Sequence, residues 1–437
     1  VTFNPSFGIG RFLRSAVDTS VEKHNMTILT PVRCIGICIL SLLASVAVAE
    51  RPAQHLILVT VDGLRWQEVF RGMDERLLSD SRYTEHPDSL RTAFSAADPQ
   101  QARAKLLPFI WSEMATKGVL LGNRDQSSRM QVTNDWHFSY PGYSEILTGR
   151  ADPAIDTNDP VPNPNVTFPE WVNQQPQWRG KVQAFGSWDV FPAILNSKRA
   201  GFPVNAGFSP ALGKVSAREA FINELQRQTP SPWQSVRLDV FTHQYALAAL
   251  ADDKPRLVYI AYGETDDFAH DGEFDQYIQA AHRFDGFVRE LWNRVQSDRR
   301  YRDKTLLLIT TDHGRGELPL EGWKHHGSKK AVARNASAPE MAPFQGGIPG
   351  ADQVWFAAMG PGVKAAGELQ GEWYSNQIAA TALQLLGFDP AAYSAAVGKP
   401  MVEIIYPRPR YRHEIPLNFP DLALARRRVF AHSRHCR

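Results

Sequence analysis

Three apolar runs in this 437-residue chain end in acidic turns: His55-Leu-Ile-Leu-Val-Thr-Val61, Arg256-Leu-Val-Tyr-Ile-Ala-Tyr262 and Thr305-Leu-Leu-Leu-Ile-Thr-Thr311. Runs this continuous fit strands buried on both faces, as in a parallel sheet covered by helices. Sheets of that kind place their binding sites just beyond the carboxyl ends of the strands. The endings here are Asp62-Gly63, Gly263-Glu-Thr-Asp266-Asp-Phe-Ala-His270 and Asp312-His313-Gly314. Asp62, Asp266, His270, Asp312 and His313 are therefore expected on one rim.

Carboxylates crowded together repel one another and take up protons unless positive charge lies between them. A divalent cation meets that need, and mixed Asp and His ligands suit zinc or manganese better than calcium, which prefers oxygen shells. More ligands are present than one tetrahedral ion uses, so two ions are inferred. Taken singly, Asp-Gly after a strand is an ordinary turn, and Asp266 with His270 is an ordinary helix-surface pair. Recurrence of the same residue types at three strand ends is what carries the metal reading.

Between the first two runs lies Trp136-His-Phe-Ser139-Tyr-Pro141-Gly-Tyr-Ser-Glu-Ile-Leu-Thr-Gly149. Pro141 fits the first turn of a helix, so Ser139 is expected to cap that helix. Backbone N–H groups and the dipole at such an end favour an oxyanion, which makes Ser139 a candidate nucleophile. Taken alone, the run is better explained by a plain capping serine.

The ordered set Asp62, Ser139, Asp266-x-x-x-His270, Asp312-His313 and His326-Gly327 resembles the alkaline phosphatase superfamily of two-metal hydrolases and phosphomutases, from about Gln54 to Ile405. The resemblance implies an α/β fold, a three-layer αβα sandwich with a largely parallel central sheet. It also implies that Asp62, Asp312 and His313 bind one metal, that Asp266, His270 and His326 bind the other, and that Ser139 bridges towards both. His326 is preferred to its neighbour His325 because relatives more often show His-Gly there. Asp266 is preferred to Asp267 because positions four apart share a helix face with His270. Asp135, Glu264 and Asp271 are candidates for outer groups that orient ligand histidines.

Within the superfamily the branch signals conflict. The short gap from His313 to His326 is similar to phosphomutase-like and phosphonate-cleaving members. The Ser139-Tyr-Pro-Gly run is more like nucleotide pyrophosphatases, although they use threonine and place asparagine where Gly142 stands. Sulfatases need an arginine where Tyr143 stands, which counts against sulfatase activity.

Hydrolysis of phosphate monoesters demands acceleration of up to about 10²¹-fold, and a serine hydroxyl alone is a poor nucleophile. Two divalent ions roughly 4 Å apart can support an in-line displacement. The expected chemistry is therefore attack by Ser139 on phosphorus, then hydrolysis of the phosphoserine. Phosphodiesterase or nucleotide pyrophosphatase activity is the first alternative, then phosphonate hydrolase or phosphomutase, then sulfatase. A catalytically inactive exported binding protein is the non-enzyme alternative.

Residues 26–49 read as a signal peptide: Arg33, the apolar run Cys34 to Leu43, then Ala47-Val-Ala49 before Glu50. That run is shorter than the ~20 residues a membrane span needs, so no stable membrane insertion is expected. Residues 1–25 read as upstream sequence, 50–405 as the catalytic domain with insertions at about 71–103 and 151–177, and 406–437 as a basic tail. Export to the periplasm or outside makes zinc the first expectation and manganese the second. Cys34 and Cys38 fall in the leader and only Cys436 remains, so thiolate ligands are excluded.

A formal net charge of +2 gives no electrostatic case for nucleic acid. A small-molecule phosphate ester is the expected partner, and no protein partner is implied. Trp136, Phe138, Tyr140 and Tyr143 fit either a substrate pocket or the core. Lys329-Lys330 reads as a solvated turn, and Trp188-Asp189 as packing.

Overall fold

Side chains along a strand alternate between faces, and β1 (His55–Val61), buried throughout, shows what that does here. Ile57, Val59 and Val61 enter one apolar core, while Leu56 and Leu58 enter another on the opposite face. The computed structural model describes residues 51–407 apart from 212 and 336. The upstream segment, the leader and residues 408–437 of the tail lie outside the described residues.

The remaining strands are β2 (Gly118–Leu121), β3 (Ser128–Gln131), β4 (Val182–Gly186), β5 (Val204–Ala206), β6 (Leu257–Tyr262), β7 (Thr305–Thr310), β8 (Gln353–Val354), β9 (Phe356–Met359), β10 (Gly367–Glu368) and β11 (Gly371–Tyr374). Eight of them form one sheet in the order β10-β2-β9-β7-β1-β6-β4-β5, and β11-β3-β8 form a small second sheet. In the large sheet β9 runs against both its neighbours, and the block from β7 to β5 is parallel throughout.

Helices close both faces. On the first, Phe274–Ser297 buries Tyr277, Ile278, Ala281, Phe284, Val288, Leu291 and Val295, the spacing of an amphipathic stripe, beside Asp239–Asp252. On the second lie Ser139–Thr148, Phe168–Gln174 and Ile378–Leu385. The architecture is the three-layer αβα sandwich that the sequence led us to expect. Residues 71–103 give Met73, Leu77, Leu78, Tyr83, Leu90 and Phe94 to the first core, and residues 156–158 border a cleft on the site side.

Register fixes the rim. Val61 of β1 lies opposite Tyr262 of β6, and Thr60 lies opposite Thr310 of β7. The chain therefore leaves all three central strands at one level, and Asp62, Gly263 and Thr311-Asp312 emerge side by side. No helix among the described residues is long and apolar enough to cross a membrane.

Candidate active site

Two groups of carboxylate and imidazole atoms each lie within 4.8 Å of one another: Asp62, Asp312 and His313, and Asp266, His313 and His326. The first is the inner cluster. His313 Nε2 is 3.2 Å from Asp62 Oδ1 and 3.4 Å from Asp312 Oδ2. Each carboxylate has one oxygen held: Tyr143 Oη donates to Asp62 Oδ2 at 2.9 Å, and the Gly63 N–H donates to Asp312 Oδ1 at 3.2 Å. The other oxygens, Asp62 Oδ1 and Asp312 Oδ2, are buried without a hydrogen-bond partner. Among the described residues these two buried oxygens pair with the His313 ring alone, and two buried carboxylates balanced by one imidazole remain short of positive charge, so the donor set fits a divalent ion.

Electrostatics agree with that fit. Burial and then Asp266 push the Asp62 carboxyl up, and burial and then Asp62 push Asp312 well above the carboxylate range. Burial works against charge on His313, yet Asp312 and Asp62 outweigh it and raise the imidazole to about 9. Acids pushed up and a base pushed up in one place mark a site short of positive charge.

The outer cluster is carried by the helix Glu264–Asp271 and by the turn before Ser328. His270 Nε2 lies 3.2 Å from Asp266 Oδ2 and 3.0 Å from His326 Nε2. His326 Nε2 is 3.8 Å from Asp266 Oδ1, and its ring stacks on His313 with centroids 3.8 Å apart. Burial, the largest influence, pushes the Asp266 carboxyl up, but Arg315, His270 and His326 together hold it well below its ordinary value. Burial and then His313 drive His326 well down, so it offers neutral imidazole, the form that binds metal. All seven residues singled out in the sequence thus converge, and His313 faces both clusters rather than one.

His325 stands apart from them. Its ring packs against Phe344 at 5.7 Å, and burial followed by His270 lowers it to about 4. Asp267 is likewise outside both groups, raised to about 9 by burial and then Asp266.

The candidate outer groups for orienting the histidines are elsewhere. Asp135 pairs with Lys330, Glu264 accepts from the Asp239 N–H and from Arg283, and Asp271 accepts from Trp233 Nε1. Backbone carbonyls do the orienting instead: His313 Nδ1 donates to Gly314 O at 3.0 Å and His326 Nδ1 to His137 O at 3.2 Å. A carbonyl only accepts, so Nδ1 carries the proton and Nε2 is presented to the site.

Ser139 is the first residue of its helix rather than the cap, which is Phe138. Its Oγ lies 3.3 Å from His313 Nε2. The helix end offers an anion less than expected: Pro141 has no N–H, the Tyr140 N–H donates to Asn158 Oδ1 and the Gly142 N–H to Phe138 O. Two glycines let these elements meet. A Cβ at Gly142 would stand 2.3 Å from Asp312 O, and one at Gly63, where φ is +58°, would stand 2.6 Å from Asp266 Oδ1.

A cleft of about 400 Å³ opens beside the outer cluster, lined among others by His270, His326, Phe138, Asn158, His325 and Arg334. Trp136, Tyr140 and Tyr143 are buried, so of the four aromatics only Phe138 is partly open. Lys329 begins a short helix, and Lys330, its second residue, lies over the Trp136 ring at 4.3 Å, with Arg334 at 4.1 Å. Trp188 packs edge-on against Phe191 at 6.3 Å.

The sequence profile of the family described as type I phosphodiesterase / nucleotide pyrophosphatase matches residues 138–358, half of the chain. No curated protein matches the sequence significantly. Among solved structures, wild-type alkaline phosphatase PafA is similar with a TM-score of 0.51 at 12% identity, over 82% of this chain and 99% of that one. A protein in the alkaline phosphatase superfamily from Vibrio parahaemolyticus gives 0.48 at 10% identity, over 82% and 71%. Phosphonate monoester hydrolase SpPMH from Silicibacter pomeroyi gives 0.44 at 14%, over 80% and 76%. The likeness to PafA establishes an alkaline phosphatase-like fold.

Proposed function

The chain belongs to the type I phosphodiesterase / nucleotide pyrophosphatase family of the alkaline phosphatase superfamily, and on that premise we propose an exported, metal-dependent hydrolase that cleaves phosphoric esters, diesters foremost, through Ser139. Export rests on the leader read at residues 26–49. One observation carries the metal-dependent reading: the open oxygens of Asp62 and Asp312 converge on His313 Nε2, which lies 3.3 Å from Ser139 Oγ.

Asp62, Asp312 and His313 would hold one divalent ion, and Asp266, His270 and His326 a second, with zinc favoured over manganese for an Asp and His set. When bound, such ions supply the positive charge that stabilises attacking, phosphoryl and leaving oxygens of an in-line displacement. Ser139 Oγ attacks phosphorus, the bond to the leaving alcohol breaks, and a phosphoserine forms. Water then releases phosphate or a monoester from it. Tyr143 stays protonated, because burial and then Asp312 and Asp62 push its hydroxyl well above its ordinary value. It therefore keeps Asp62 oriented with one oxygen towards the site.

Purified protein loaded with zinc or manganese should be assayed on matched aryl phosphate monoester, diester, phosphonate and sulfate substrates. Diester turnover should exceed sulfate turnover, chelation should abolish it, and Ser139→Ala should lower it by at least about 10³-fold. Equal turnover by Ser139→Ala and wild type would remove the covalent mechanism.

A further inference from the structure

Arg315 is 1% exposed, and its guanidinium reaches two separate pieces of chain, the turn at Trp323-Lys324 and the helix residue Asp266. Nε donates to Trp323 O at 2.8 Å and Nη2 donates to Lys324 O at 2.7 Å. Nη1 donates to Asp266 Oδ1, and Nη2 also reaches Asp266 O at 3.4 Å. Asp266 is its only carboxylate partner among the described residues. The arginine itself sits two residues after His313, in the segment leaving β7. A buried guanidinium is costly unless its donors are met, and here Nε, Nη1 and Nη2 all donate.

These bonds fall on the outer cluster and not on the inner one. Fixing Asp266 Oδ1 leaves Oδ2 turned to His270, 3.2 Å away. Fixing the carbonyls of Trp323 and Lys324 sets the turn whose next residues are His325 and His326, so that His326 Nε2 meets His270 Nε2 at 3.0 Å. The inner carboxylates are held by other donors, Tyr143 and the Gly63 N–H. We propose that Arg315 is the positioning residue of the outer cluster: its planar fork locks Asp266 and the His326 turn into one ligand geometry for the second divalent ion.

The inference rests on the two-ion reading above. It differs from a mere counter-charge role in sign. A fixed cation beside a metal site weakens ion binding by repulsion, so an arginine that only balanced Asp266 would, on removal, let the ion bind more tightly. An arginine that positions the ligands would, on removal, weaken it. Lysine keeps the charge but can hold only part of the fork, and glutamine removes the charge.

The test is calorimetric titration of chelator-stripped full-length protein with Zn²⁺, with Co²⁺ absorption as an independent readout of each site. Wild type should take two ions. Arg315→Lys and Arg315→Gln should each keep one ion at wild-type affinity and bind the second about 10- to 100-fold more weakly, with Lys the milder. Unchanged or tighter second-site binding overturns the proposal, as does equal weakening of both sites. Failure of both variants to fold also overturns it, because a positioning role leaves the fold standing. Wild type that takes fewer than two ions defeats the two-ion reading instead.

Discussion

The inner and outer clusters face each other across His313 yet are built by different means. Inner side chains sit directly on strand ends, with Asp62, Asp312 and His313 exposed by 8%, 0% and 0%. Outer side chains come from a helix and a turn, with His270 exposed by 42%, Asp266 by 13% and His326 by 9%. Pairing register among β6, β1 and β7 dictates the inner geometry, whereas the outer one depends on loop contacts such as those of Arg315. The lesson is that a sheet rim can define one ligand cluster outright and leave the second to be shaped by insertable segments.

The sharpest way to break that comparison is at the adjacent histidines. His326→Ala should remove the outer ion while sparing the inner one, and cut diester turnover by about 10²-fold or more, since a metal ligand is lost. His325→Ala should change turnover by no more than a few-fold. Metal content measured beside kinetics checks both, and the reverse ranking would reassign the ligand. Next in size is the order of release. Under excess chelator the exposed outer ion should leave at least about tenfold faster than the buried one, giving two phases with a chromophoric chelator; a single phase would mean that burial does not separate the sites.

How much of this the sequence disclosed follows the same division. The apolar runs and their terminal aspartates revealed the parallel sheet, the rim and the inner cluster, because strand period and strand ends are local signals. Choosing His326 over His325 took a family pattern, and physically it depends on a turn pinned by Arg315 from eight and nine residues upstream. Tyr143 was visible only as one of four aromatics, since its bond to Asp62 crosses 81 residues of chain. Arg315 stood in plain view in Asp312-His-Gly-Arg315, yet nothing local shows that it reaches back to Asp266. The candidate acidic orienting groups failed for a related reason: Nδ1 atoms of both histidines found carbonyls close by, and Asp135, Glu264 and Asp271 took other partners.

Tyr143 gives a smaller effect that sharpens the inner half. Tyr143→Phe removes the donor to Asp62 Oδ2 and little volume, so a buried acceptor is left open at a cost of about 1–3 kcal/mol. Inner-ion affinity should fall by about tenfold with the outer ion unaffected, and titration calorimetry reads both. Loss at the outer site instead would show that the two halves are not built independently.

The opposite end of β1 supplies the weakest effect and the control for all the others. His55 opens the strand that Asp62 follows, buried edge-on against Tyr301 at 4.6 Å with Nδ1 unpaired. Burial and then Arg256 lower it from 6.5 to about 4, so the folded protein keeps this imidazole neutral while the unfolded chain protonates it. Its contribution to stability is therefore whole above pH 6.5 and is lost as pH falls towards 4, where the folded form also takes up the proton. Replacing it by glutamine should flatten the stability curve across that window, read as the difference between wild type and His55→Gln in denaturant titrations. Because ion release on acidification is common to both proteins, it cancels in that difference. Turnover at pH 8 should be unchanged, since the buried residues Leu56 to Val61 of β1 separate this end from the rim; a change in turnover there would show that the two ends of the strand are coupled.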